Sequence, residues 1–136
     1  MANYKIEDVE GIGPVIGEKL RVAGIKDTDA LLAGCLTPTQ RKNLAAKTEI
    51  SDKLILRFAN MVDLFRISGV GSEFSELLEA AGVDTVPELA TRNPANLAEA
   101  MAKANREKKL TRRVPVEAEI TKWVAQAKAL PRMLTY

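Results

Sequence analysis

Two short glycine turns carry the residues best placed for chemistry. Gly11-Ile12-Gly13 follows Val9 and leads to Leu20, Ala23-Gly24 and Ile25, while Gly69-Val70-Gly71 follows Ile67 and leads to Leu78, Ala81-Gly82 and Val83. In such a turn the first glycine allows a tight reversal, and the apolar residue between the glycines points inward. The second glycine leaves backbone amides uncovered where the next helix begins. Uncovered N–H groups at the positive end of a helix dipole form a natural phosphate site. The chemistry offered is therefore anion binding, through Gly11, Ile12, Gly13 and Val15 with Lys19 nearby, and again through Gly69 and Gly71. Pro14 withholds one amide from the first turn.

Charge separates the two turns. Glu18, Lys19 and Arg21 follow the first, a balance that leaves one net cation. Glu73, Glu76 and Glu79 follow the second with no cation among them, which disfavours a phosphate strand and suits a protein partner on the acidic helix 72–82. The densest basic cluster is Lys103, Arg106, Lys108, Lys109, Arg112 and Arg113, opposed only by Glu107. Arg41, Lys42 and Lys47 form a smaller group at the corresponding place in the first half, so the two groups would flank one groove if a twofold axis related the halves. A charge run can equally be a solvated face. The net charge of +2 falls short of the footprint of a strong DNA binder.

Other chemistry is disfavoured. Histidine is absent and Cys35 stands alone, which removes the usual general base, the triad partner and a structural zinc site. No spacing of carboxylates or lysines recommends catalysis in their place, so a non-enzyme without metal or organic cofactor is expected. At 46% hydrophobic the chain is too apolar for disorder, yet no run approaches the roughly 20 residues of a membrane helix. With no signal-peptide pattern at the N-terminus, a cytoplasmic protein without membrane contact is expected.

The elements that must position the turns read as helices. Thr37-Pro38 and Asn93-Pro94 each place a capping residue before a proline, a preferred helix start. Ser51 opens a segment in which Leu54, Phe58, Met61, Val62 and Phe65 recur at helical spacing. Ile120, Trp123, Val124, Ala127 and Leu130 do the same after Pro115. Gly24 and Gly82 stand where helices should stop in a left-handed residue. The segment from Asn60 to Ile67 lacks Gly, Pro and Ser and predicts uninterrupted helix. No strand pattern is present, so the fold is expected to be all-α.

The two phrases also belong to a longer repeat, pairing Leu31 with Leu89, Leu44 with Leu97 and Phe58 with Trp123. Two halves, 1–66 and 67–136, of about five short helices each are expected to pack into one compact body. Phe58 and Trp123 are expected in the core.

The glycine phrases, with Leu20, Gly24-Ile25, Leu78 and Gly82-Val83, resemble the helix-hairpin-helix motif of DNA polymerases, ligases and repair proteins. The whole chain is similar to a bacterial family of small, paired helix-hairpin-helix proteins known as a domain of unknown function (DUF4332-like). Val86-Pro87-Glu88-Leu89, Arg112-Arg113-Val114-Pro115 and the alanine-rich end extend that likeness. The family resemblance implies a fold of two tandem helix-hairpin-helix repeats and no particular activity. The wider superfamily implies nucleic-acid binding, sometimes with a monovalent cation held by hairpin carbonyls.

Two functions follow as expectations. The first is a non-enzymatic, sequence-independent module holding duplex DNA weakly and salt-sensitively through hairpin amides, helped by Lys19, Lys108, Lys109, Arg112 and Arg113. The alternative is a protein-interaction or scaffold domain in which the hairpins are purely structural.

Overall fold

Helix boundaries in this chain are written by its caps, and the computed structural model, which describes residues 3–136, shows them one by one. The first half begins with a 3-10 turn, Ile6–Asp8, followed by α1 (Pro14–Val22), α2 (Thr28–Ala33), α3 (Pro38–Thr48) and α4 (Asp52–Leu64). The second contains α5 (Ser72–Ala80), α6 (Val86–Ala90), α7 (Pro94–Lys108) and α8 (Glu117–Ala129). Asp27 accepts from the Ala30 amide at the head of α2, and Ser51 from Leu54 at the head of α4. Thr37 and Gln40 cap α3 reciprocally, a capping box that satisfies two orphan amides. Thr85 accepts from the Glu88 amide at the head of α6 and Asn93 from the Asn96 amide at the head of α7. The fold is all-α. Among the described residues the only extended pairing is an isolated bridge between Lys5 and Asp27.

The chain forms two compact units. Among the described residues, one comprises 3–63 together with Met133–Tyr136; the other is Leu64–Arg132. In the first, Ile6, Val9, Ile12, Leu20, Leu31, Ile55 and Phe58 are buried. In the second, Leu77, Leu78, Leu89, Met101, Ile120 and Trp123 form the centre of the core, with Phe74 and Leu110 packed against it. Leu44 on α3 and Leu97 on α7, both proline-initiated helices, are buried.

One local expectation is corrected. The segment 60–67 is not continuous helix: α4 ends at Leu64, and the chain turns through Phe65–Gly69 before α5. The Ile67 amide bonds to Leu64 O and the Val70 amide to Ile67 O, both at 3.0 Å, so the helix gives way to tighter three-residue closures. Burial of Ile67 and Val70 on either side of Gly69 holds that turn in place. Local propensity had no means of registering it.

Candidate nucleic-acid interface

The two glycine turns share a backbone. Gly11 and Gly69 have φ of 91° and 94°, and Gly24 and Gly82, which end α1 and α5, have 90° and 94°. Ile12 N–H bonds Val9 O as Val70 N–H bonds Ile67 O, each at 3.0 Å. The following helix then closes on the second glycine, with Gly17 N–H on Gly13 O at 2.8 Å and Ser75 N–H on Gly71 O at 2.9 Å. Gly13 and Gly71 are the N-caps of α1 and α5, and neither helix has a side chain capping it.

An aromatic ring lies under each first glycine. A Cβ placed on Gly11 would sit 3.2 Å from Phe58 Cε1, and one on Gly69 would sit 3.0 Å from Trp123 Nε1. This is why residue 11 and residue 69 have no side chain, apart from their left-handed φ. Gly13 differs: its backbone is extended, with φ −89°, and nothing lies within 4 Å of a Cβ there. Its lack of a side chain is not a packing requirement.

The first hairpin carries the predicted residues Gly11, Ile12, Gly13 and Val15 on one turn and the start of α1, while Lys19 falls in the last turn of that helix. Ile12 is buried with its amide already bonded to Val9 O, Gly11 and Gly13 are exposed, and Lys19 is half-buried. Val15 is 71% exposed, so the first turn of α1 is open to a large ligand. Arg21 is already committed. Its guanidinium holds Glu7 through two hydrogen bonds, and that bond is the main reason the Glu7 carboxyl is lowered to about 2. Sequence reasoning missed Arg57, whose Nη1 lies 3.3 Å from the Cβ position of Gly11 and brings a cation to the turn. The signal was its place one residue before Phe58 on α4.

The second hairpin is differently furnished. Gln126 accepts from the Ser68 amide at 2.8 Å, and exposed Glu73 stands where Val15 stands in the first. A carboxylate in the first turn already complements the positive helix end, so a phosphate there meets competition. Phe74 packs on Trp123 with ring centroids 5.4 Å apart. Arg113 covers Phe74 at 5.2 Å and grips Glu119 at 2.7 and 2.9 Å. Glu119 also accepts from the Val116 amide, and the Arg113 bond chiefly holds its carboxyl down to about 2. Arg113 is thus exposed yet engaged, a structural element of the second unit.

The other basic residues of the 103–113 cluster are not tied down in this way. Lys103, Arg106, Lys108, Lys109 and Arg112 are exposed, and none pairs with a carboxylate among the described residues. Lys103, Arg106 and Lys108 lie on α7, and the loop that presents Lys109 and Arg112 is shaped by Asn105, which accepts from Thr111 N–H at 2.9 Å and donates to Thr111 O at 3.2 Å. Lys109 caps α7 in a left-handed conformation with φ 52°. In the first half the smaller basic group does not survive intact. Lys42 and Lys47 are exposed, but Arg41 is only 6% exposed, its guanidinium satisfied by the carbonyls of Cys35 and Thr135. Among the described residues no three Cys, Asp or Glu side chains converge as a metal site, and no helix is long and apolar enough to cross a membrane.

A family profile described as "Domain of unknown function (DUF4332)" matches residues 10–130. No curated protein and no solved structure matches the chain.

Proposed function

The chain belongs to this DUF4332 family, and from the hairpin geometry we propose that it is a non-enzymatic module binding duplex DNA without reading its sequence. The observation that carries the reading is selective capping. In the first unit α2, α3 and α4 each have a side chain on their N-terminal amides, whereas α1, entered through Gly13, has none. An exposed helix start without a cap leaves donors and a positive dipole end for an external anion. Arg57 beside Gly11 adds positive charge to that place, and half-buried Lys19 stands further along α1. In the second unit Lys108, Lys109 and Arg112 supply further unpaired cations for phosphate. No cofactor is part of this reading. A monovalent cation at the first hairpin would share carbonyls with the bonds that Val9 and Gly13 already accept, and the proposal does without one.

A second reading rests on a different observation. Val15 and Val22 are 71% and 77% exposed and lie seven residues apart, on one face of α1. That face, or exposed Glu73 on α5, suits a protein partner instead.

The deciding experiment is fluorescence anisotropy of labelled duplex DNA, single-stranded DNA and duplex RNA across a salt series, with wild type and Gly13→Asp. Aspartate fits at residue 13 and caps α1, so the fold is kept while the amides are taken by its own carboxylate. Micromolar or weaker binding to duplex is expected, with a log–log salt slope of about −2 to −4 for about two to four phosphate contacts. The variant should lose it. A flat salt response, or full binding by Gly13→Asp, refutes the hairpin grip. Partners that survive nuclease treatment and vanish on Val15→Asp would establish the second reading.

A further inference from the structure

Four residues of the first unit come from beyond the second. Leu134 is 1% exposed. Thr135 N–H donates to Leu36 O at 2.9 Å, and Arg41 Nη2 donates to Thr135 O at 2.6 Å. The Tyr136 hydroxyl donates to Asn60 Oδ1 at 2.8 Å, and the Arg41 guanidinium covers the Tyr136 ring at 5.7 Å. The segment belongs to no helix and to no assigned strand. Its backbone is held at Thr135, and its side chains are held at the alternate positions 134 and 136. Backbone bonds with pockets for alternate side chains are how protein surfaces recognise extended peptides.

The cleft has room beyond its occupant. An open pocket of ≈ 200 Å³ lies beside the tail, lined by Pro38, Arg41, Lys42, Asp52, Leu56 and Tyr136 itself. The connection is built for release as well. α8 ends at Ala129, Arg66 Nη2 anchors Pro131 O at 2.7 Å, and Arg132 and Met133 are exposed. Residues 133–136 can leave the cleft without unwinding α8. Departure would strip the buried Arg41 guanidinium of one of its carbonyls and expose Leu134, so a vacant cleft strongly favours refilling.

We infer that this cleft of α3 and α4 is a receptor for a short extended segment of apolar, Thr and aromatic residues, and that its second occupant is the tail of another copy of this chain. Two copies would then join by exchanging residues 133–136. The second copy is the occupant whose chemistry matches every contact above, because it offers the same Leu134, Thr135 and Tyr136. Tethering keeps the chain's own tail at high local concentration, so exchange grows only as protein concentration rises.

The test uses the full-length chain with Leu134→Asp, which expels its own tail, and a labelled peptide of residues 130–136. The variant should bind the peptide at least about tenfold more tightly than wild type. A Tyr136→Ala peptide should bind more weakly. A helical variant that does not bind, or equal binding by wild type and variant, overturns the receptor. If the variant loses its helical circular dichroism, ¹⁵N-labelled wild type titrated with millimolar peptide decides. Shifts centred on Leu36, Asn60 and Thr135 support the site, and their absence refutes it. Sedimentation should show a wild-type dimer that grows with concentration and is missing from Leu134→Asp; a wild type that stays monomeric when concentrated refutes the exchange.

Discussion

The four left-handed glycines allow strain and packing to be measured separately. Gly69 and Gly82 belong to one unit and share φ 94°, so alanine at either forces a similar backbone penalty of about 1–2 kcal/mol. Their surroundings differ. At Gly82 the nearest atom to a new Cβ is Arg92 Nη2 at 3.6 Å, an ordinary contact. At Gly69 it is Trp123 Nε1 at 3.0 Å, part of a rigid indole packed on Phe74. Moving that ring adds about 1–3 kcal/mol of overpacking. Gly69→Ala should therefore cost about 2–5 kcal/mol against about 1–2 for Gly82→Ala. At roughly 4–8 °C per kcal/mol for a unit of this size, the midpoints should differ by at least about 4 °C. Trp123 is the only tryptophan and lies in this unit, so its fluorescence during thermal unfolding reports the transition. Gly11 and Gly24 repeat the comparison in the first unit by circular dichroism, with Phe58 Cε1 at 3.2 Å against an open site. Equal losses at Gly69 and Gly82 would refute the claim that an aromatic floor, beyond φ, constrains the hairpin.

Other outcomes follow from the ion pairs and buried groups. Glu7 and Glu119 are held at about 2, below the ordinary 4.5, so their stabilisation is present above that ordinary value and is lost as pH falls through about 2. Urea midpoints should drop across that window, and Glu7→Gln and Glu119→Gln should each flatten the drop. Gly17→Ala puts a Cβ 2.8 Å from Glu7 Oε2, so it should displace the carboxylate from Arg21 and return the Glu7 pKa towards its ordinary range by NMR titration. Burial raises the Cys35 thiol to about 11, so thiol labelling at neutral pH should be slow in native protein and fast in denaturant. Lys108→Gln, Lys109→Gln and Arg112→Gln combined should weaken DNA binding and shallow the salt slope with little change in stability. Arg113→Gln should do the reverse, because Arg113 is tied to Glu119 and Phe74.

Much of the fold was legible because it is encoded locally. Thr37, Ser51 and Asn93 cap the helices they precede, and Gly24 and Gly82 take the left-handed conformation their positions required. Phe58 and Trp123 are buried as their apolar neighbours implied. Their contact with Gly11 and Gly69 was not legible, since it joins residues far apart in sequence. The site was harder still. Arg41 and Arg113 both count as cations in a charge tally, yet the first is buried on two carbonyls and the second is paired six residues on with Glu119, across Pro115. Side-chain partnerships of this kind depend on tertiary placement, which a spacing rule for one helix face does not reach.

The bonds that close the first unit span 94 residues from Arg41 to Thr135 and 76 from Asn60 to Tyr136. During synthesis, residues up to Asp63 leave the ribosome well before their clasp exists, because the whole of Leu64–Arg132 must be made in between. The earlier-made unit thus waits with Arg41 on one of its two carbonyls and Asn60 without its Tyr136 donor while its neighbour folds. Translation order makes the first-born unit the last to be finished, and a pause or truncation before Leu134 would leave it incomplete on an otherwise folded chain.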